Sequence, residues 1–156
     1  MRIVIGSDHG GFKLKESLIK FLKSKGHSVK DMGAFSEESC DYPIIGYEAA
    51  KLVGAKSYPR GVLICKTGIG MSMAANKVRG VRAALCDKPD IAISSKEHND
   101  SNVLVMAANT VTPAKAKKIL EAWLAAKHLG SRHARRVSQI KKIEDLEYER
   151  VKKSRS

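Results

Sequence analysis

The chain is poor in several features that would each commit it to a particular class. It has only three cysteines, Cys40, Cys65 and Cys86, with no close pair and no Cys/His spacing suited to a metal. An odd, sparse set of this kind argues against a disulfide scaffold and against a zinc site, and it fits a reducing cytoplasm. No apolar run approaches the ~18 residues needed to cross a bilayer. The opening Met1-Arg2-Ile3-Val4-Ile5-Gly6 runs straight into a strand pattern and lacks the layout of a signal peptide. Aromatic residues make up 5% of the 156 positions, and no basic–aromatic interleaving suggests stacking on nucleic-acid bases.

What is present is ordinary for one soluble globular domain over 1–156: 43% hydrophobic and 29% charged residues. The net charge of +13 is unevenly spread. Residues 1–110 carry 16 Lys/Arg against 11 Asp/Glu, and residues 111–156 carry 13 against 5. Most of these cations read as a solvated helical surface. The excess around Arg132, Arg135 and Arg136 also suits an anionic partner, and a phosphorylated metabolite is favoured over nucleic acid.

Strand and helix patterns alternate along the chain. Residues 2–6 read as a strand, and Leu14, Leu18, Phe21 and Leu22 mark one face of a helix that Gly26 stops. A strand near 28–32 precedes a helix opened by Pro43. A third strand at 61–65 leads to a helix from about 70 to 78. A fourth at 81–85 precedes a helix from Pro89 to about 96, and a fifth runs over 102–106. Thr112-Pro113 caps and opens a further helix, and a C-terminal helix is expected over about 133–151 to pack on the domain or on a partner subunit. Repeated βα units imply a three-layer α/β/α fold around a five-stranded parallel, Rossmann-like sheet, with that C-terminal helix added.

In such sheets ligands bind beyond the C-terminal strand ends. That rule gathers Ser7-Asp8-His9, Cys65-Lys66-Thr67, Cys86-Asp87 and the loop after 106 on one rim. The third strand is the most telling, because Gly61-Val62-Leu63-Ile64 delivers Cys65 directly into the turn Lys66-Thr67-Gly68-Ile69-Gly70. Gly68 and Gly70 allow N–H groups to converge at the start of the next helix. Positive potential there favours a thiolate, and the same N–H groups can hold an oxyanion. Base and oxyanion site in one loop suggest proton abstraction beside a carbonyl. Asp8, read alone, is a helix cap. His98-Asn99-Asp100 precedes the fifth strand and so belongs to the opposite rim, within reach of a neighbour's site. Arg132 and Arg136, four apart, share a helix face and could clamp a phosphate.

The blocks Ser7-Asp8-His9-Gly10-Gly11, Asp41-Tyr42-Pro43, Ile64-Cys65 through Lys77, Gly80-Val81-Arg82, His98 through Leu104, and Arg132-His133 with Arg136-Val137 together resemble ribose-5-phosphate isomerase type B. The resemblance covers nearly the whole chain and preserves the order of that family's motifs. It implies interconversion of ribose 5-phosphate and ribulose 5-phosphate, a step of the pentose phosphate pathway, through an enediolate and without metal or organic cofactor. It implies Cys65 as the base, with His98 and Thr67 assisting ring opening. N–H groups of Lys66, Thr67, Gly68, Ile69 and Gly70 would lie on the enediolate oxygen. Asp8, Tyr42 and Asn99 would contact sugar hydroxyls, and His9, Arg132 and Arg136 the phosphate. It further implies a homodimer, or a tetramer built from it, with active sites shared between subunits. Two positions depart from the family: Lys66 stands where glycine is usual, and Asn109 where an arginine is. Lys66 is read as turned away from the sugar, as partly replacing the lost cation while favouring the Cys65 thiolate, or as obstructing the oxyanion loop.

Three rival readings fare worse. A cysteine phosphatase needs an arginine six residues after its cysteine, where the chain has Met71. A Walker loop needs a glycine immediately before its lysine, where Cys65 stands. A basic nucleic-acid-binding module without catalysis rests on charge alone. Among relatives of the same fold, allose 6-phosphate and galactose 6-phosphate are the alternative substrates, and the presence of both Cys65 and His98 favours the ribose enzyme over the galactose one.

Overall fold

A computed structural model describes residues 1–154. Strands β1 (Arg2–Ser7), β2 (Ser28–Asp31), β3 (Arg60–Cys65), β4 (Ala83–Leu85) and β5 (Val103–Ala107) alternate with helices. These are α1 (Phe12–Ser24), α2 (Tyr42–Gly54), α3 (Ile69–Ala75), α4 (Pro89–Asn99), α5 (Pro113–Ala125) and α6 (Ser131–Lys153). The sheet is wholly parallel in the order β2-β1-β3-β5-β4. The expected α/β/α architecture is therefore present. The expected domain ends at 156, and its last two residues lie outside the described ones.

The three central strands β1, β3 and β5 read as continuous apolar runs because helices cover both faces. Ile3, Ile5, Val62, Ile64, Leu104 and Met106 pack with α1 and α5 around the fully buried Trp123. Val4, Leu63, Cys65, Val103 and Val105 face α2 and α3 on the other side. This period-two alternation puts the Cys65 side chain on the α2–α3 side, one position beyond Ile64 on the opposite face.

Several element ends differ from the sequence reading. α3 stops at Ala75 rather than near 78, because the Asn76 amide ties its end to β4. Asn76 donates to Ser72 O (3.0 Å) and Ala83 O (2.9 Å), and its carbonyl accepts from Ala83 N (2.8 Å). β4 begins at Ala83 rather than 81, since the Arg82 N–H is taken by the Asn102 side chain at 2.8 Å. α4 runs on to Asn99, where Asp100 adopts a left-handed conformation (φ 47°) and closes the helix. α6 starts at Ser131, earlier than expected, and only His133 and Val137 of it are buried.

The α4 layer is anchored by a chain of hydroxyls. Trp123 Nε1 donates to Ser101 Oγ (2.7 Å), which shares a hydrogen bond with Ser95 Oγ (2.9 Å), and Ser95 Oγ donates to Ala92 O (2.8 Å). Each buried hydroxyl is thereby satisfied. Lys15 breaks the pattern expected of a helical lysine. Its side chain is fully buried, paired with Asp31 and with Glu16 (3.0 Å). The other Asp31 oxygen accepts from Gly33 N at 2.9 Å, so the pair fixes the loop that leaves β2 beside β1.

Candidate active site

β1 and β3 are neighbours whose following helices leave on opposite faces, and their C-terminal ends open the crevice expected of a parallel sheet. Cys65, 4% exposed, ends β3 there. Its Sγ accepts a hydrogen bond from Gly68 N at 3.1 Å. Gly68 reaches that position because it is left-handed (φ 74°, ψ −17°) and caps the short helix α3. The buried Gly68 N–H, aimed at sulfur, favours negative charge there. Thr67 Oγ1 accepts from Ile69 N (3.4 Å), which bends the same turn. The Cys65 and Lys66 carbonyls accept from Ala108 N (2.9 Å) and Asn109 N (3.0 Å). The β3–β5 ladder thus extends past the strand ends and brings Asn109 to the loop.

Asp8 lies on the adjacent strand end, 6% exposed. Its Oδ1 accepts from Gly11 N at 2.9 Å, the capping role available from sequence alone. Asp8 N donates to Ile64 O (3.1 Å), tying the two loops together. His9 Nδ1 accepts from Cys40 N at 3.2 Å, so a neutral ring carries its proton on Nε2. Lys66 turns its side chain over Gly10. A Cβ on Gly10 would meet Lys66 Cγ, Cε (3.0 Å) and Cδ (3.2 Å), so the glycine is what admits the lysine. Tyr42, at the start of α2, covers Gly70 as closely: a Cβ there would meet its Oη at 2.5 Å. One rim therefore assembles Asp8, His9, Tyr42, Cys65, Lys66, Thr67, Gly68, Ile69, Gly70 and Asn109.

His98, Asn99, Arg132 and Arg136 form a second group, away from the first. His98 and Asn99 occupy the last turn of α4, which leads into the N-terminal end of β5, as the topology predicts. The rims are four strand steps apart, roughly 13 Å. Arg82 holds this turn: its Nε donates to Asn99 O (3.2 Å) and Asp100 O (2.9 Å), and its Nη2 to Asp100 Oδ2 (2.8 Å). Lys96 pairs with Asp100 Oδ1. Burial pushes the Asp100 carboxyl up, but the Lys96 hydrogen bond and the Lys96, Arg82 and His128 charges outweigh it and hold it below its usual value. Arg132 and Arg136 stand exposed on the first turns of α6.

The sequence reading left His133 without a role. Its ring stacks on His98 with centroids 4.3 Å apart and planes within 6°. The available signal was a histidine four residues before Val137, marking the one face of α6 that turns inward. Among the described residues no cluster of His, Cys, Asp or Glu could hold a metal ion, and no helix is long and apolar enough to cross a membrane.

A groove lies beside the second group, with Asn99 in its lining. It measures about 930 Å³ and runs between α6 and the β4 edge, lined by Val81, Ala84, Ile140, Ile143 and Val151 among others.

Comparison with known proteins agrees with this fold. The profile described as Ribose/Galactose Isomerase matches residues 3–140. Ribose-5-phosphate isomerase B of Escherichia coli K12 is 43% identical over 143 residues, 92% of this chain and 96% of that protein. The Clostridium thermocellum ribose-5-phosphate isomerase B structure superposes with a TM-score of 0.92 at 46% identity, covering 94% of this chain and 99% of that one. The Mycoplasma genitalium ribose-5-phosphate isomerase B structure, which has ribulose-5-phosphate bound, gives a TM-score of 0.89 at 38% identity, over 92% of this chain and 96% of that one. With the profile spanning most of its length, the chain belongs to the ribose/galactose isomerase family.

Proposed function

We propose that the protein is an aldose–ketose isomerase that interconverts D-ribose 5-phosphate and D-ribulose 5-phosphate, with Cys65 as the base. The observation that carries this reading is the buried Cys65 Sγ with the Gly68 N–H directed at it. The names of the relatives, and the ribulose-5-phosphate bound in one of them, support the choice of sugar.

In the forward direction the Cys65 thiolate takes the C2 proton of the open-chain aldose. Charge moves to O1, and the turn over residues 66–70 supplies N–H donors to the enediolate. As the proton of the C2 hydroxyl passes to O1, the thiol returns the abstracted proton to C1, leaving a C2 carbonyl and a C1 hydroxymethyl group, the ketose. No redox partner is needed, since the proton and electron pair stay within the substrate and Cys65. His98 and Thr67 assist ring opening. Asp8, Tyr42 and Asn99 take the hydroxyls, while His9, Arg132 and Arg136 hold the phosphate. Lys66, lying over Gly10, supplies a cation on the side where Asn109 supplies none.

One chain holds these groups on opposite rims, so the complete site needs a second copy: a homodimer with shared active sites. Exposed Ile44 and Tyr47 on α2, Ile69 and Met73 on α3, and Ile140, Ile143 and Leu146 on α6 give that copy apolar surface to cover. Mixing inactive Cys65→Ala with inactive His98→Ala restores about a quarter of wild-type turnover through heterodimers carrying one intact site; no recovery after subunit exchange would refute the shared site. Three free cysteines support a cytoplasmic setting. Turnover of ribose 5-phosphate against allose 6-phosphate by purified protein tests the substrate, and a preference for the hexose would overturn the choice.

A further inference from the structure

We infer that His133 is a positioning residue for His98, the neutral platform that fixes the plane of the His98 ring. This rests on the role given to His98 above. The two rings are parallel within 6° with centroids 4.3 Å apart, an offset face-to-face stack. His133 is 7% exposed, on a helix whose only other buried residue is Val137. An aliphatic side chain would fill that place without leaving a polar atom behind. Instead His133 Nδ1 is buried with no hydrogen-bond partner among the described residues. A buried donor left unmatched is a cost that packing alone does not explain.

The surroundings fix the charge of this ring. Arg132 Nε donates to His133 Nε2 at 3.4 Å, so Nε2 is the acceptor and the single ring proton sits on Nδ1. The charged groups bearing on it are His98 from α4, His128 from the segment before α6, and Arg132 and Arg136 from α6. None is a carboxylate. Burial, and then these cations, hold the His133 imidazole below its ordinary value. A second proton would set an N–H against the Arg132 N–H and add a cation to a cationic cluster. His133 therefore stays neutral, and a neutral π face is attractive to a cationic ring stacked on it. The His128 segment is itself pinned to α4, with Leu129 N donating to Glu97 O (3.0 Å) and His128 Nδ1 2.9 Å from the same carbonyl. The platform is thus fixed relative to the turn that carries His98.

The test uses the full-length protein with ¹⁵N-labelled histidine, and the variants His133→Leu and His133→Phe. In the wild type, His133 shows the neutral Nδ1–H signature at neutral pH. His133→Leu lowers kcat for ribose 5-phosphate about tenfold with KM within about twofold, and the ring-current shift on the His98 carbon-bound protons disappears. His133→Phe keeps a flat face and returns kcat to within about threefold of wild type. Wild-type kcat in a folded His133→Leu protein, a Phe variant no better than the Leu variant, or a cationic His133 near neutral pH would each overturn the inference. If the Leu variant fails to fold, the wild-type spectrum and the Phe variant still decide. A His98→Ala protein with full turnover would instead refute the role of His98 itself.

Discussion

Replacing Gly68 by alanine tests whether the left-handed turn after β3 is what aims an N–H at Cys65. The residue sits at φ 74° and ψ −17°, where a Cβ costs about 1–2 kcal/mol. That Cβ would also press on the Leu85 side chain, but Leu85 is 40% exposed and touched only at its far end, so it can yield. The stability loss is therefore set by the backbone. For a chain of this size it lowers Tm by about 2–8 °C. Activity is set by the hydrogen bond: alanine keeps the N–H but tilts it from Sγ, now at 3.1 Å. Removing one such donor outright costs about 10²–10³ in kcat, so a misaimed one costs about tenfold to a hundredfold. Gly26→Ala is the control, because Gly26 is also left-handed (φ 78°) with nothing within 4 Å of its Cβ position, and it lies in the α1–β2 turn. Thermal unfolding and a direct assay of ketose formation on both variants separate the effects. A comparable loss of Tm in both with loss of kcat only in Gly68→Ala is expected. Unchanged kcat in Gly68→Ala would refute the aimed donor, and unchanged Tm would refute the backbone cost.

Lys66→Ala should raise KM for ribose 5-phosphate about fivefold with kcat within about twofold, as for the loss of one exposed ion pair; unchanged KM would remove the lysine from the phosphate side. Lys15→Ala should destabilise the fold by about 3 kcal/mol in urea unfolding, since it strips a fully buried cation from Asp31 and Glu16; a change below about 1 kcal/mol would contradict that. Asp100→Asn should cost about 1–2 kcal/mol at neutral pH, less than a fully buried pair because the carboxylate is partly exposed. Asp100 titrates below its unfolded value, so its stabilisation is present above the unfolded carboxylate range and is lost as pH falls through the folded one. The Tm gap between wild type and Asp100→Asn should therefore narrow in acid, and a pH-independent gap would refute the linkage.

The fold was legible because β1, β3 and β5 are buried apolar runs and α1 and α5 each bury one periodic apolar face, and the Thr112 cap is where the sequence puts it, accepting from Lys115 N at 3.3 Å. Element ends were less legible wherever a hydrogen bond to a distant residue sets them, as the Asn76–Ala83 pair does for α3 and Asn102 for β4. The Cys65 loop could be read locally, since glycines and a strand-end cysteine carry their conformational consequences in adjacent residues. Lys66 could not, because only the close approach to Gly10 shows where its side chain goes. Lys15 and His133 were hidden for the same reason. A buried lysine at helical spacing looks like a solvated one until Asp31, sixteen positions away, is placed beside it. A histidine on a basic helix looks like surface until His98 stacks on it.

The central claim is that Cys65 moves the substrate proton. Purified Cys65→Ala, shown folded by its circular dichroism and unchanged oligomeric state, is assayed with ribose 5-phosphate, in parallel with solvent-deuterium exchange at C1 of ribulose 5-phosphate. The account predicts that both turnover and exchange fall to background. Exchange or turnover near the wild-type rate in this variant would contradict it.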